Sequence, residues 1–284
     1  MRTNPSSARQ GLLTAILTMS LAACASSGAP IYEYRPTESP LRYELTADIS
    51  NEIETPGGTQ TSGGESDATF TASIGERTDS GTVFSVTFES FRAAASGDLG
   101  SGEVDGGAVE GTKFVAVLKD GGVVDIIEAP EIDLEGISAD DLAGVVIGLL
   151  MPLPPGGADT SESWPHIVEA PVGSGLDGSS AYTGTARMAG DTTWNGVPAE
   201  VIVSEGKWVL TGAGTPPGSP APIELTMEGT SSTTYYWDSA RGVMLSAEAS
   251  SQGSGSVATM GFEMPITNTA SSTTTLQMPG AAAD

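Results

Sequence analysis

The chain has 284 residues, 36 Asp and Glu against 11 Lys and Arg, a formal net charge of −25, and a single Cys and a single His. So acidic a surface repels phosphates and excludes nucleic-acid binding through a basic face, while one Cys and one His cannot build a disulfide framework or a zinc cluster. A hydrophobic content of 38% sets the chain apart from disordered tails and allows a sizeable core.

The first element is an export signal. Arg2 and Arg9 are the only charges before Glu33, and the apolar run 11–21 follows them. That run suits a signal-peptide core and is too short for a membrane-spanning helix, which needs about 20 residues. It ends in Leu21-Ala22-Ala23-Cys24, which resembles the lipobox of bacterial lipoproteins. The small Ala22 and Ala23 let the backbone lie extended in a peptidase cleft, and the Cys24 thiol accepts a diacylglycerol. The resemblance implies cleavage between Ala23 and Cys24, lipidation of Cys24 (palmitate among the usual acyl groups) and attachment to a membrane by two or more acyl chains. Two chains anchor stably where one does not. Removal of residues 1–23 takes away Arg2 and Arg9 and shifts the net charge from −25 to −27. In a cell with two membranes the resemblance further implies the outer membrane, with its periplasmic face the expected side, rather than the inner membrane, because Ala25 stands in place of the Asp that retains such lipoproteins there. Residues 24–40 then form the lipidated start and a tether.

A mainly β body is expected over 41–278. Leu41, Tyr43, Leu45, Ala47 and Ile49 alternate with polar residues, a strand with one dry face. The Gly/Thr/Ser-rich stretch 56–66 reads as a loop. Strands are expected at 68–74, 82–93, 112–118 and 123–128, with Asp120-Gly121-Gly122 turning the last pair. The acidic, glycine-rich 96–111 reads as a loop. One amphipathic helix is expected at about 138–151, because Leu142, Val145, Val146, Leu149 and Leu150 form one stripe. Ser138 and Asp141 open it as a capping box, and Pro152, Pro154 and Pro155 stop it. The stripe must be buried, and the sheet is the only partner large enough. Further strands are expected at 180–188, 199–210, 223–238, 243–250, 256–266 and 272–278, with Asn195-Gly196 as a turn and the proline-rich 215–222 as a loop. Residues 279–284 are a tail.

Strand, Asp, Gly turn and apolar strand occur at Phe114–Val124 and again at Thr234–Val243, so 41–130 and 180–266 could be related halves joined by the helix and its Pro/Gly-rich connection; any antiparallel meander also produces such units. The pattern as a whole resembles the half-barrels of LolA-type lipoprotein carriers and LppX-type lipoproteins. That resemblance implies a curved antiparallel sheet around helices, with acyl chains in the concavity. The chain departs from it in showing one helix, and no ligand residue is carried over.

The remaining motifs carry little chemistry. His166 is the one imidazole available to a hydrolase, and no Gly-x-Ser-x-Gly elbow accompanies it. Trp164-Pro165-His166 reads as a surface loop whose Trp covers the core edge. Gly173-Ser174-Gly175-Leu176-Asp177-Gly178 has dinucleotide spacing but precedes a strand, so no helix dipole would face a pyrophosphate. Asp98, Glu103 and Asp105 fit no calcium loop and read as a solvated turn. Tyr235 and Trp237 share a strand face that suits the core. No metal or cofactor is implied. The expectation is a non-enzymatic, lipid-anchored envelope protein with a β-rich binding or structural body whose ligand the sequence does not name. A hydrophobic ligand or an envelope protein is the candidate partner, and a purely structural interaction module is a further reading. The alternatives are a LolA-like carrier of acyl chains and a hydrolase built on His166.

Overall fold

The alternation that begins at Leu41 runs further than the apolar residues that mark it. In the computed structural model, which describes residues 32–98, 101–119, 122–132, 137–151, 153–154, 163–173, 175–216 and 221–278, β1 covers Leu41–Thr55 and β2 covers Gly58–Thr78. Next come β3 (Gly81–Gly97), β4 (Gly102–Asp105), a 3-10 turn (Gly106–Ala108), β5 (Lys113–Leu118) and β6 (Val124–Glu128). Helix α1 (Ala139–Leu149) separates these from β7 (Trp164–Pro171), β8 (Leu176–Trp194), β9 (Val197–Gly214), β10 (Ile223–Asp238), β11 (Val243–Thr259) and β12 (Phe262–Leu276). The signal, Ala23, Cys24, residues 25–31 of the tether, the Asp120-Gly121 pair, Pro152, Pro155, Ser174 and the tail lie outside the described residues.

The strands form one antiparallel sheet in the order β6-β5-β3-β2-β1-β12-β11-β10-β9-β8-β7, with β4 beside β3. Two meanders are thus joined where β12 pairs with β1. The sheet is strongly curved and nearly closes. Helix α1 packs on both β7, one edge strand, and β5, next to the opposite edge, so it bridges the seam. The expected capping box is present, with Ser138 Oγ accepting from the Asp141 amide and Asp141 accepting from the Ser138 amide at 2.8 Å.

Three expectations are corrected. The 56–66 segment is a loop only at its start; from Gly58 it pairs with β1 and then with β3. It lacks large apolar residues because the inner face of the sheet at that level is built from small ones. The 96–111 segment holds β4 and a 3-10 turn. The expected strand 256–266 is two strands joined by a hairpin turn at Met260 (φ 48°) and Gly261 (φ 82°). Asn195-Gly196 turns in the same conformation, φ 47° and 82°, and was legible because Asn and Gly tolerate it; Met260 gives no such signal.

The core fills one end of the trough. Tyr43, Phe70, Phe88 and Phe114 lie in successive ring contacts at 5.6, 5.9 and 6.0 Å across β1, β2, β3 and β5. A strap ahead of β1 closes that end. Tyr32 stacks on Trp164, and Tyr34 meets Phe84 and Trp237 edge-on at 4.8 and 5.0 Å. Tyr235 and Trp237 are buried, as expected for core.

Candidate functional site: the cavity beneath the helix

Below the aromatic end the inward-facing side chains become small. One cross-strand row reads Ala186, Ser204, Thr233, Ala249, Ser272, Ala47, Ser66 and Ala93, from β8 round to β3. The next reads Gly184, Gly206, Ser231, Ser251, Ala270, Ile49 and Gly64. Side chains of this size cannot meet across a trough this wide, and apolar interiors gain only from atoms in contact. A further row restores bulk with Tyr182 and Trp208, followed by a second apolar cluster of Met227, Val257 and Ile266. A gap is therefore left between two packed ends.

The gap is a cavity of about 510 Å³, within the range for small-molecule sites. Its roof is α1, through Val145, Gly148 and Leu149, and its walls include Leu45, Ala249, Ser251, His166, Tyr182 and Trp208. A second hollow of about 460 Å³ shares Ala47, Ser66, Ala249 and Ser251 and continues to Ile49, which is 45% exposed. The expected burial of the helical stripe is divided accordingly. Leu142, Val146 and Leu150 are buried in the core, whereas Val145 and Leu149 are half-buried and face the cavity.

The aromatic wall is positioned by glycines. The Tyr182 ring covers Gly184 and Gly206, where a Cβ on Gly206 would meet Tyr182 Cζ at 2.7 Å. Trp208 likewise covers Gly229 and Gly253 on the neighbouring strands, and its indole N–H donates to the Thr230 carbonyl at 3.2 Å.

His166 is not on a surface loop. It lies on edge strand β7 with its ring turned inward and 5% exposed, since Trp164 and His166 share the face that packs against the sheet interior. Its Nδ1 is 2.6 Å from Ser204 Oγ, which is 2.9 Å from the Tyr182 hydroxyl, and the ring meets Tyr182 edge-on. Burial pulls the imidazole down from the usual 6.5 to about 4, so it is neutral at physiological pH. Ser204 is fully buried and does not line the cavity, so the pair orients the ring instead of presenting a nucleophile. Ser204 and Tyr182 were not singled out in the sequence. They lie 38 and 16 positions from His166 and meet it only through strand register.

Among the described residues that line the cavity none is Asp, Glu, Lys or Arg. Two acidic residues of 96–111, Asp98 and Glu103, are engaged elsewhere. The Thr61 amide and hydroxyl bond Asp98 and hold its carboxyl below the usual range, and Glu103 faces Arg92 at 3.8 Å. Leu176-Asp177-Gly178 begins β8 with no helix behind it.

No family model matches the chain, and no curated protein matches it. Two solved structures overlap it in part. One is a domain assigned to outer membrane lipoprotein sorting from Vibrio parahaemolyticus, 10% identical over 85% of this chain and 87% of that one, with a TM-score of 0.14. The other is a DUF1329 family protein from Desulfovibrio piger, 9% identical over 85% and 88%, with a TM-score of 0.12. At those scores neither likeness supports a conclusion about this chain.

Proposed function

We propose that this chain is a non-enzymatic envelope lipoprotein, anchored through a lipidated Cys24 on the periplasmic face of the outer membrane, whose β body binds an apolar, acyl-chain-like ligand beneath α1. The observation that carries the binding reading is the uncharged cavity of about 510 Å³ in a chain of net charge −25. In so acidic a protein, a trough lined by Leu, Val, Ala, Ser and aromatic side chains favours a neutral apolar occupant. Small hydroxyls on the floor and alkyl groups on the roof suit a long methylene chain, which needs volume and dryness more than specific partners. The anchoring reading rests on Leu21-Ala22-Ala23-Cys24 behind the apolar run.

A fluorescent acyl-chain probe tests the binding reading. The protein should bind it saturably, and Ala249→Trp, which fills the cavity from its wall, should abolish binding without unfolding the sheet. Equal binding by Ala249→Trp would remove the cavity from the account.

A further inference from the structure

The imidazole on the cavity wall is held as an oriented hydrogen-bonding group with one side unused. Its Nδ1 is engaged by Ser204 at 2.6 Å, and Ser204 by Tyr182 at 2.9 Å. The edge-on contact with Tyr182, 4.8 Å between ring centroids, fixes the ring plane. Among the described residues Nε2 has no protein partner, although the residue as a whole is 5% exposed and lines the cavity. Nε2 is not sealed from solvent, since the fully buried side-chain atoms without a partner among the described residues are Tyr32 Oη, Glu200 Oε2 and Trp237 Nε1. A ring nitrogen that lines a cavity in this way is met by a ligand or by water. The surroundings restrict what that ligand can carry. Among the described residues no cationic side chain lines the cavity, so a carboxylate or phosphate placed there would be desolvated without a counter-charge. Burial also keeps the imidazole neutral down to about pH 4, so it supplies no charge itself.

We infer that His166 Nε2 is the polar docking point of the cavity, and that the ligand's head there is an uncharged ester, amide or alcohol, with carboxylates and phosphates excluded. This rests on the binding reading above and names the ligand class it leaves open. The hydroxyl relay serves both senses of hydrogen bond. When Tyr182 donates to Ser204 and Ser204 to Nδ1, Nε2–H donates to a carbonyl. When the relay reverses, Nδ1–H donates to Ser204 and Nε2 accepts from an alcohol. Either way no proton is gained or lost by the site.

The test compares hexadecanol, methyl hexadecanoate, hexadecanoate and hexadecane as ligands of the full chain at neutral pH, by displacement of the fluorescent acyl probe. The alcohol and the ester should bind about tenfold or more tighter than the carboxylate. His166→Phe keeps the ring's volume and its contact with Tyr182, and should weaken the alcohol and ester about three- to tenfold, the worth of one hydrogen bond, while leaving hexadecane unchanged. Ser204→Ala, which frees the ring to turn, should give a smaller loss in the same direction and serves if His166→Phe does not fold. Carboxylate binding as tight as the alcohol's, or alcohol and ester affinities unaltered in both variants, would overturn the inference. Binding of hexadecane with no preference among heads would overturn it while leaving the cavity reading intact; failure of every ligand to bind overturns both.

Discussion

The Tyr34 hydroxyl donates to the Met151 carbonyl at 3.0 Å, across 117 positions of sequence, and so ties the strap ahead of β1 to the chain leaving α1. The helix that roofs the cavity is thereby held at its C-terminal end by the segment nearest the expected lipid anchor. Tyr34→Phe keeps the ring contacts with Phe84 and Trp237 and removes only the donor. It should cost about 1–3 kcal/mol in denaturant unfolding, because the carbonyl is left unpaired in a buried setting. An unchanged midpoint and slope would show that the strap holds the helix by ring packing alone.

Two leucines on one helix should behave differently. Leu142 is fully buried in the core, and Leu142→Ala should cost about 2–5 kcal/mol. Leu149 is half-buried, packed against the core on one side and lining the cavity on the other. Leu149→Ala should cost about 1 kcal/mol or less and should change the affinity of an acyl probe. Equal losses of stability in the two variants would mean that the roof is packed core.

His166 links stability to pH. Its folded value of about 4 lies below the unfolded 6.5, so between these values the unfolded chain takes up a proton that the folded chain refuses. The fold should therefore lose stability as pH falls from about 6.5 to 4, by roughly 3 kcal/mol for this group, and gain nothing from it above 6.5. Subtracting the pH profile of His166→Phe isolates the effect from the carboxylates. A difference profile that is flat across the window would place the imidazole in contact with solvent.

Cys24→Ser replaces the thiol proposed to accept lipid with a hydroxyl that cannot. The variant should appear in the soluble fraction or accumulate as the uncleaved precursor. Normal processing and membrane attachment in fractionated cells would refute lipidation at this position.

Local chemistry was legible where it was local. Ser138, Asp141 and the apolar stripe located α1, and the prolines before Ile223 with the turn after Asp238 bounded β10 at both ends. The long strands were not fully legible, because their middle stretches face a cavity and carry Ser, Gly and Ala where alternation would mark a packed face. Gly58–Ser66 and Gly253–Ser256 are strand by pairing with neighbours, a property of the sheet rather than of the segment. The site was hidden for the same reason. His166 stood out as the only imidazole, but Ser204 and Tyr182 are ordinary residues until register brings β7, β8 and β9 side by side.

The most direct measurement is native mass spectrometry of residues 25–284, without the proposed lipid attachment point Cys24, after expression in the envelope and after incubation with hexadecanol. The account predicts a protein that carries or takes up one neutral, acyl-chain-bearing molecule and loses it in Ala249→Trp. A bare polypeptide mass in both conditions, with uptake no greater than in Ala249→Trp, would contradict the claim that the trough beneath α1 is a binding site.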